Sequence, residues 1–162
     1  MQLPFRVIDP KLRGNLPRYI AQCLIATVAL FIVLWVEDAL VSAVIIAAIG
    51  STAFVLFITP HNDMATPRHV LGGHAIALTV GAAASVFETD TTFLFALQGA
   101  LAVGVALFLM AATNTEHGPA ASTALGVVVI GFEWSLALLL GASIVALVVI
   151  HQLLRPWLRN LY

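Results

Sequence analysis

Two short polar segments interrupt an otherwise apolar chain, and both hold groups able to bind an anion or carry a proton. The first runs Pro67-Arg68-His69-Val70-Leu71-Gly72-Gly73-His74, and the second Asn114-Thr115-Glu116-His117-Gly118-Pro119. A guanidinium supplies a fixed charge and a fork of N–H donors. An imidazole gives or takes a proton near neutral pH. Each segment also places a proline where a helix should open. The first turn of such a helix has unpaired backbone N–H groups, and these, with the helix dipole, favour negative charge. Glu116 and His117 form a candidate proton relay or gate, or the cap of the following helix. Arg68 is a candidate anion contact, or a cationic anchor at the membrane face. His74, beside Gly72 and Gly73, lies more than a turn into its helix and faces a cavity or a packed neighbour.

Composition says what must position these groups. The chain has 162 residues, 61% hydrophobic and 9% charged, against about 25% charged in soluble domains. A hydrocarbon core about 30 Å thick takes roughly 20 apolar residues per helix, and several such runs are present. The expected fold is all-α, a polytopic transmembrane helical bundle of about six spans: about 19–36, 39–59, 69–87, 92–112, 119–132 and 134–154. The fifth is short, covering only about 21 Å at 1.5 Å per residue, so its neighbours must bury it. The expected organisation is a basic cytoplasmic segment at 1–18, a single transmembrane domain at 19–155 and a short cytoplasmic tail at 156–162. This leaves no room for a soluble catalytic domain.

With the amino terminus inside, Arg6, Lys11, Arg13, Arg18, Arg68, Arg155 and Arg159 all fall on the cytoplasmic side. Glu37, Asp38, Glu88, Asp90 and Glu133 then fall in the outer turns. Trp35 and Trp134 belong to the outer interface, Tyr19 and Trp157 to the inner one. This reads as a multi-pass protein of a bacterial inner membrane with both termini cytoplasmic. Small residues at four-residue intervals, Gly73, Ala77, Gly81 and Ser85 in the third span and Ala96, Ala100 and Gly104 in the fourth, predict close helix seams. A small six-span bundle is also compatible with a homo-oligomer that buries such faces between protomers. Gln22 and Gln98 read as interhelical hydrogen bonds.

The turn after span two, Thr59 to Arg68, and the turn after span four, Ala111 to Ala120, superpose without gaps so that Asn62 meets Asn114 and Pro67 meets Pro119. This is compatible with a parallel repeat of hairpins two–three and four–five, and equally with the ordinary use of Asn and Pro in turns.

The segment Thr115 to Ala121, with Pro67 to His74 upstream, resembles the HPP family of small integral membrane proteins, named for a His-Pro-Pro motif. The similarity covers about residues 18–150. Here Gly118 stands where the family has the first proline. Plant and cyanobacterial relatives of that family are linked to nitrite transport. The resemblance therefore implies a transporter or channel for a small monovalent inorganic anion, nitrite first and nitrate behind it. Carried over by residue, it points to Pro67, Arg68, Gly73, His74, His117 and Pro119; the surrounding turn adds Asn114, Glu116, Gly118 and Ser122. The bilayer and the anion are the expected partners, with no nucleic acid, no cofactor and no enzymatic constellation. Two alternatives stay open. One is a regulatory or scaffolding membrane subunit without transport. The other is a metal site built from His61, His69, His74 and His117, which gather at one face without a compact ligand spacing.

Overall fold

The computed structural model describes residues 12–37 and 43–161. Arg6, Lys11, Asp38 and the side chains of Arg13, Trp35 and Glu37 lie outside the described residues. Six α-helices follow one another: α1 (Leu12–Glu37), α2 (Ala43–Ile58), α3 (Pro67–Ser85), α4 (Thr92–Thr113), α5 (Gly118–Ile130) and α6 (Trp134–Leu154). A single 3-10 turn, Asp63–Ala65, lies between α2 and α3, and no strand occurs among the described residues. The all-helical expectation holds. α4 and α6 are each long and apolar enough to cross a membrane, while α5 and the Ile46–Ile58 part of α2 are apolar but shorter.

Helix α1 has a short leading segment from Leu12 and a long segment, separated by a kink at Asn15, whose backbone (φ −128, ψ 15) is not helical. The long segment starts just after Asn15, a few residues ahead of the expected 19, and Pro17 lies in its first turn, where the missing N–H is unneeded. The α4–α5 turn is made by Asn114, in the left-handed region at φ 54, ψ 54, while its N–H and that of Thr115 close the last carbonyls of α4. Asparagine is one of the few side-chain-bearing residues at ease there. Helix α5 stops at Gly131, whose φ of 89 favours glycine.

Two packed clusters build the bundle. Ile49, Ala53, Leu56 and Phe57 of α2 meet Leu140, Ile144 and Leu147 of α6, with Ala29 of α1 alongside. Ala77 of α3, Ala106 and Met110 of α4, and Ala120 and Ala124 of α5 form the second. The short α5 lies at the centre and packs against α3, α4 and α2, so its buried face runs from Pro119 through Thr123 and Ala124 to Val128. Gly81 lets this happen: a Cβ there would lie 2.8 Å from the Ala124 carbonyl oxygen and from the Val127 Cβ. The α3 seam is therefore the predicted one. The α4 seam is not: its buried row is Gly99, Ala102, Ala106 and Met110, and Ala96, Ala100 and Gly104 point outward. Both rows have helical spacing, so only the position of α3 and α5 chooses between them.

The end of α2, the start of α3, the end of α4 and the start of α5 gather at one end of the bundle, where the carboxyl-terminal tail also docks. Gln22 of α1 donates to the Phe57 and Arg159 carbonyls at 2.8 Å each and accepts from the Arg159 N–H at 3.2 Å. The Tyr19 hydroxyl donates to the Leu161 carbonyl. His61 bonds the Leu158 carbonyl and the Asn160 side chain. Gln98 of α4 donates to the Ala84 and Phe87 carbonyls at the other end, satisfying the last turn of α3.

Candidate functional site

The two polar turns lie against each other, and the bonds between them start from backbone groups that local sequence cannot supply. Asn62 caps the 3-10 turn by accepting from the Met64 N–H at 3.0 Å, which leaves the Met64 carbonyl pointing inward. His117 caps α5 from an extended backbone and makes no side-chain bond to that helix. Its imidazole reaches across instead, and Nδ1 meets the Met64 carbonyl at 2.9 Å. On the outside of the same junction Thr66 holds His69 Nδ1 at 2.7 Å, and His69 Nε2 lies 3.7 Å from the Glu116 carboxylate. Arg68 is exposed and donates through Nη2 to the Thr113 carbonyl at 3.0 Å, a cation on the negative end of α4.

Inside this junction is a buried polar chain. His74, only 5% exposed, and His117, 1% exposed, stand with ring centroids 5.2 Å apart. Both Nε2 atoms converge on one hydroxyl, that of Thr52 in α2, at 3.0 Å from His74 and 3.2 Å from His117. His74 Nδ1 lies 2.9 Å from the Thr123 hydroxyl in α5. All four ring nitrogens thus have partners, as buried polar groups require. The close approach depends on glycine: a Cβ on Gly73 would lie 2.9 Å from His117 Cβ and 3.0 Å from the Thr115 carbonyl oxygen.

The candidate residues divide between these two layers. Gly73, His74, His117 and Pro119 are buried in the inner layer. Arg68, Asn114 and Gly118 are exposed on the outer one, with Pro67 and Glu116 half-buried. Glu116 faces His69, while His117 faces Thr52 and Met64. Ser122 is half-buried and borders a small void with Thr123 and Ala48. The histidines do not gather at one point: His61 binds the tail, His69 the Glu116 carboxylate, and His74 and His117 the Thr52 hydroxyl. Helix α6 adds a fully buried histidine, His151, set edge-on to Phe57 with centroids 6.3 Å apart. No motif marked His151. No motif marks Thr52 either; the adjacent Ser51, by contrast, spends its hydroxyl on its own helix at the Ala47 carbonyl.

Next to His74 the bundle leaves a cavity of about 180 Å³ between α3 and α6, lined by Leu71, Ala75, Leu78, Leu140, Gly141 and Ile144. His74 is its one titratable wall. Larger grooves on the outside, of about 440 Å³ between α3 and α4 and about 370 Å³ between α1 and α6, are almost wholly apolar. Side chains facing lipid have that character.

Comparison with known proteins agrees with a membrane setting. The family model of the HPP transmembrane region matches residues 11–159. A transmembrane protein of Dictyostelium discoideum is 34% identical over 90 residues, covering 56% of this chain and 31% of the relative. A second transmembrane protein of that organism is 31% identical over 81 residues, 50% of this chain and 26% of the relative. The chain thus spans less than a third of the length of these curated relatives. No solved structure matches.

Proposed function

Because the chain belongs to the HPP transmembrane-region family and is a membrane protein, we propose that it carries a small monovalent anion, nitrite first, across the bilayer through a bundle of six spans. The observation that supports this most is the buried chain of His74, Thr52, His117 and Thr123. Polar and ionisable groups inside a membrane bundle are expensive and are kept where an ion or a proton passes. In this reading the anion meets Arg68 and the first turn of α3 at the cytoplasmic face, where both termini lie. It then passes the cavity beside His74. In this reading the protein is not an enzyme, and its membrane is a bacterial plasma membrane. The outward row Ala96, Ala100 and Gly104 of α4 suits a second copy of the chain, which makes a homo-oligomer part of the proposal.

One observation favours a second reading. Every nitrogen of His74 and His117 is bonded within the chain, and Arg68 is engaged by the end of α4. A regulatory or scaffolding subunit would need no free ligand groups. Flux measurements on purified protein in proteoliposomes separate the two. Uptake of nitrite, with nitrate, formate and chloride as competitors, is the expected result. Protein that moves none of the four under any gradient overturns the transport reading.

A further inference from the structure

The four bonds around the histidine pair can be written in only one direction. The Met64 carbonyl accepts and never donates, so His117 Nδ1 must carry a hydrogen. With the imidazoles neutral, His117 Nε2 is then a lone pair and accepts from the Thr52 hydroxyl. Thr52 has one hydrogen, so its oxygen must accept from His74 Nε2–H. That leaves His74 Nδ1 as a lone pair, filled by the Thr123 hydroxyl. The chain therefore runs Thr123, His74, Thr52, His117, Met64, with no hydrogen missing and none left over.

We propose that Thr52 relays a proton between His74 and His117, so that the two imidazoles hold one added proton between them as a unit. The proton enters at His74 Nδ1, the one lone pair whose partner, the Thr123 hydroxyl, can turn its hydrogen away and accept instead. His74 is then the cation and the rest of the chain is unchanged. In the transfer, the His74 Nε2–H bond breaks as its hydrogen bonds to the Thr52 oxygen, and the original Thr52 O–H bond breaks as its hydrogen bonds to His117 Nε2. The positive charge has moved to His117, Thr52 now donates to His74 Nε2, and every contact in the chain is kept. A second proton would set two cations 5.2 Å apart at buried positions. The Met64 carbonyl blocks onward passage, because it holds a hydrogen on His117 Nδ1 and takes none.

Among the groups around the pair, His69 is the titratable one whose charge acts on His117. From the α3 turn, His69 lies beyond His117 with Glu116 at 3.7 Å, and Arg68 is turned to Thr113. α2 and α5 present Thr52 and Thr123, α4 presents Met110 near Gly73 and His117, and α6 faces His74 with Leu140, Gly141 and Ile144. His151 and Arg155 come seven and eleven residues after Ile144, about 10 Å or more along α6. The proposal stands whether or not the protein moves an anion.

The test is nitrogen-15 NMR of the full chain in lipid nanodiscs with labelled histidine, each signal assigned by replacing one histidine at a time. Above the titration range, His117 should show the Nδ1–H tautomer, the minor form of free imidazole, and His74 the Nε2–H tautomer. As the pH is lowered, both rings should shift together for a total of one proton. Thr52→Val should make them shift separately, and Thr52→Ser should restore the joint shift. The proposal is overturned by an Nε2–H tautomer at His117, by independent shifts in the unaltered protein, or by joint shifts in Thr52→Val. Where Thr52→Val does not fold, the tautomers of the unaltered protein together with the joint or independent shift of its two rings decide the matter.

Discussion

The turns before α3 and α5 share an asparagine and a proline in gapless register, yet the two asparagines do different work. Asn62 opens a 3-10 turn with its side chain, accepting from the Met64 N–H. Asn114 closes α4 with its backbone, from the left-handed region. The prolines do correspond, each in the first turn of the helix that follows. Equal residues at equal spacing therefore fix where a helix begins and leave the path leading to it open. The first turn aims a carbonyl inward and the second aims an imidazole at it, so the junction rests on their being unlike.

If the inner layer of that junction carries function, the largest effect belongs to His74. His74→Ala in a correctly inserted protein is expected to bring anion uptake in proteoliposomes to background and to remove its pH dependence. Unchanged uptake would show that the anion's path does not depend on His74. Next comes the glycine beneath it. Gly73→Ala drives a methyl into His117 Cβ and the Thr115 carbonyl, and overpacking of this kind costs about 1–3 kcal/mol. A lowered unfolding midpoint in detergent, with His117 and His74 signals displaced, is the expected readout. Gly118→Ala is the control, because a Cβ at Gly118 meets nothing within 4 Å.

The outer layer should respond less. Arg68→Ala removes one exposed charge and one hydrogen bond to Thr113. Loss of a charged hydrogen bond to a passing anion lowers apparent affinity by about tenfold. Weakened affinity with an unchanged maximal rate would separate an attracting group from the His74 layer. No change at all would leave Arg68 as a membrane anchor.

Much of this geometry was legible in the residues, and the missing part has a common physical cause. The limits of α6, 134–154, match the apolar run between Glu133 and Arg155, because charges and caps act locally. The α3 seam was legible because Gly73, Ala77 and Gly81 put two glycines on one face, where backbones approach most closely. Thr52 was not, since its role needs two imidazoles delivered from α3 and the α5 cap, 22 and 65 residues away. The pairing of Glu116 with His69 rather than with its neighbour His117 has the same origin. Adjacent residues on an extended cap point apart, and the tertiary fold decides what each one meets.

The smallest effects test the turns themselves. Asn62→Ser should be nearly neutral, because serine also caps, whereas Asn114→Ser places a poorly suited residue at φ 54 and should cost about 1 kcal/mol. Asn114→Gly should be tolerated, and a reversed order in thermal unfolding would undo the distinction between the two asparagines. Gly118→Pro is the last, and its expected effect is a gain. Position 118 is the first residue of α5, where proline's missing N–H is unneeded. The preceding His117 already has the extended backbone, φ −140 and ψ 99, that a following proline prefers. The variant should therefore fold with its His117 contacts intact and gain up to about 1 kcal/mol by restricting the unfolded chain. Loss of stability would mean that the α5 cap needs glycine here and that this turn departs from the His-Pro-Pro form in shape as well as in sequence.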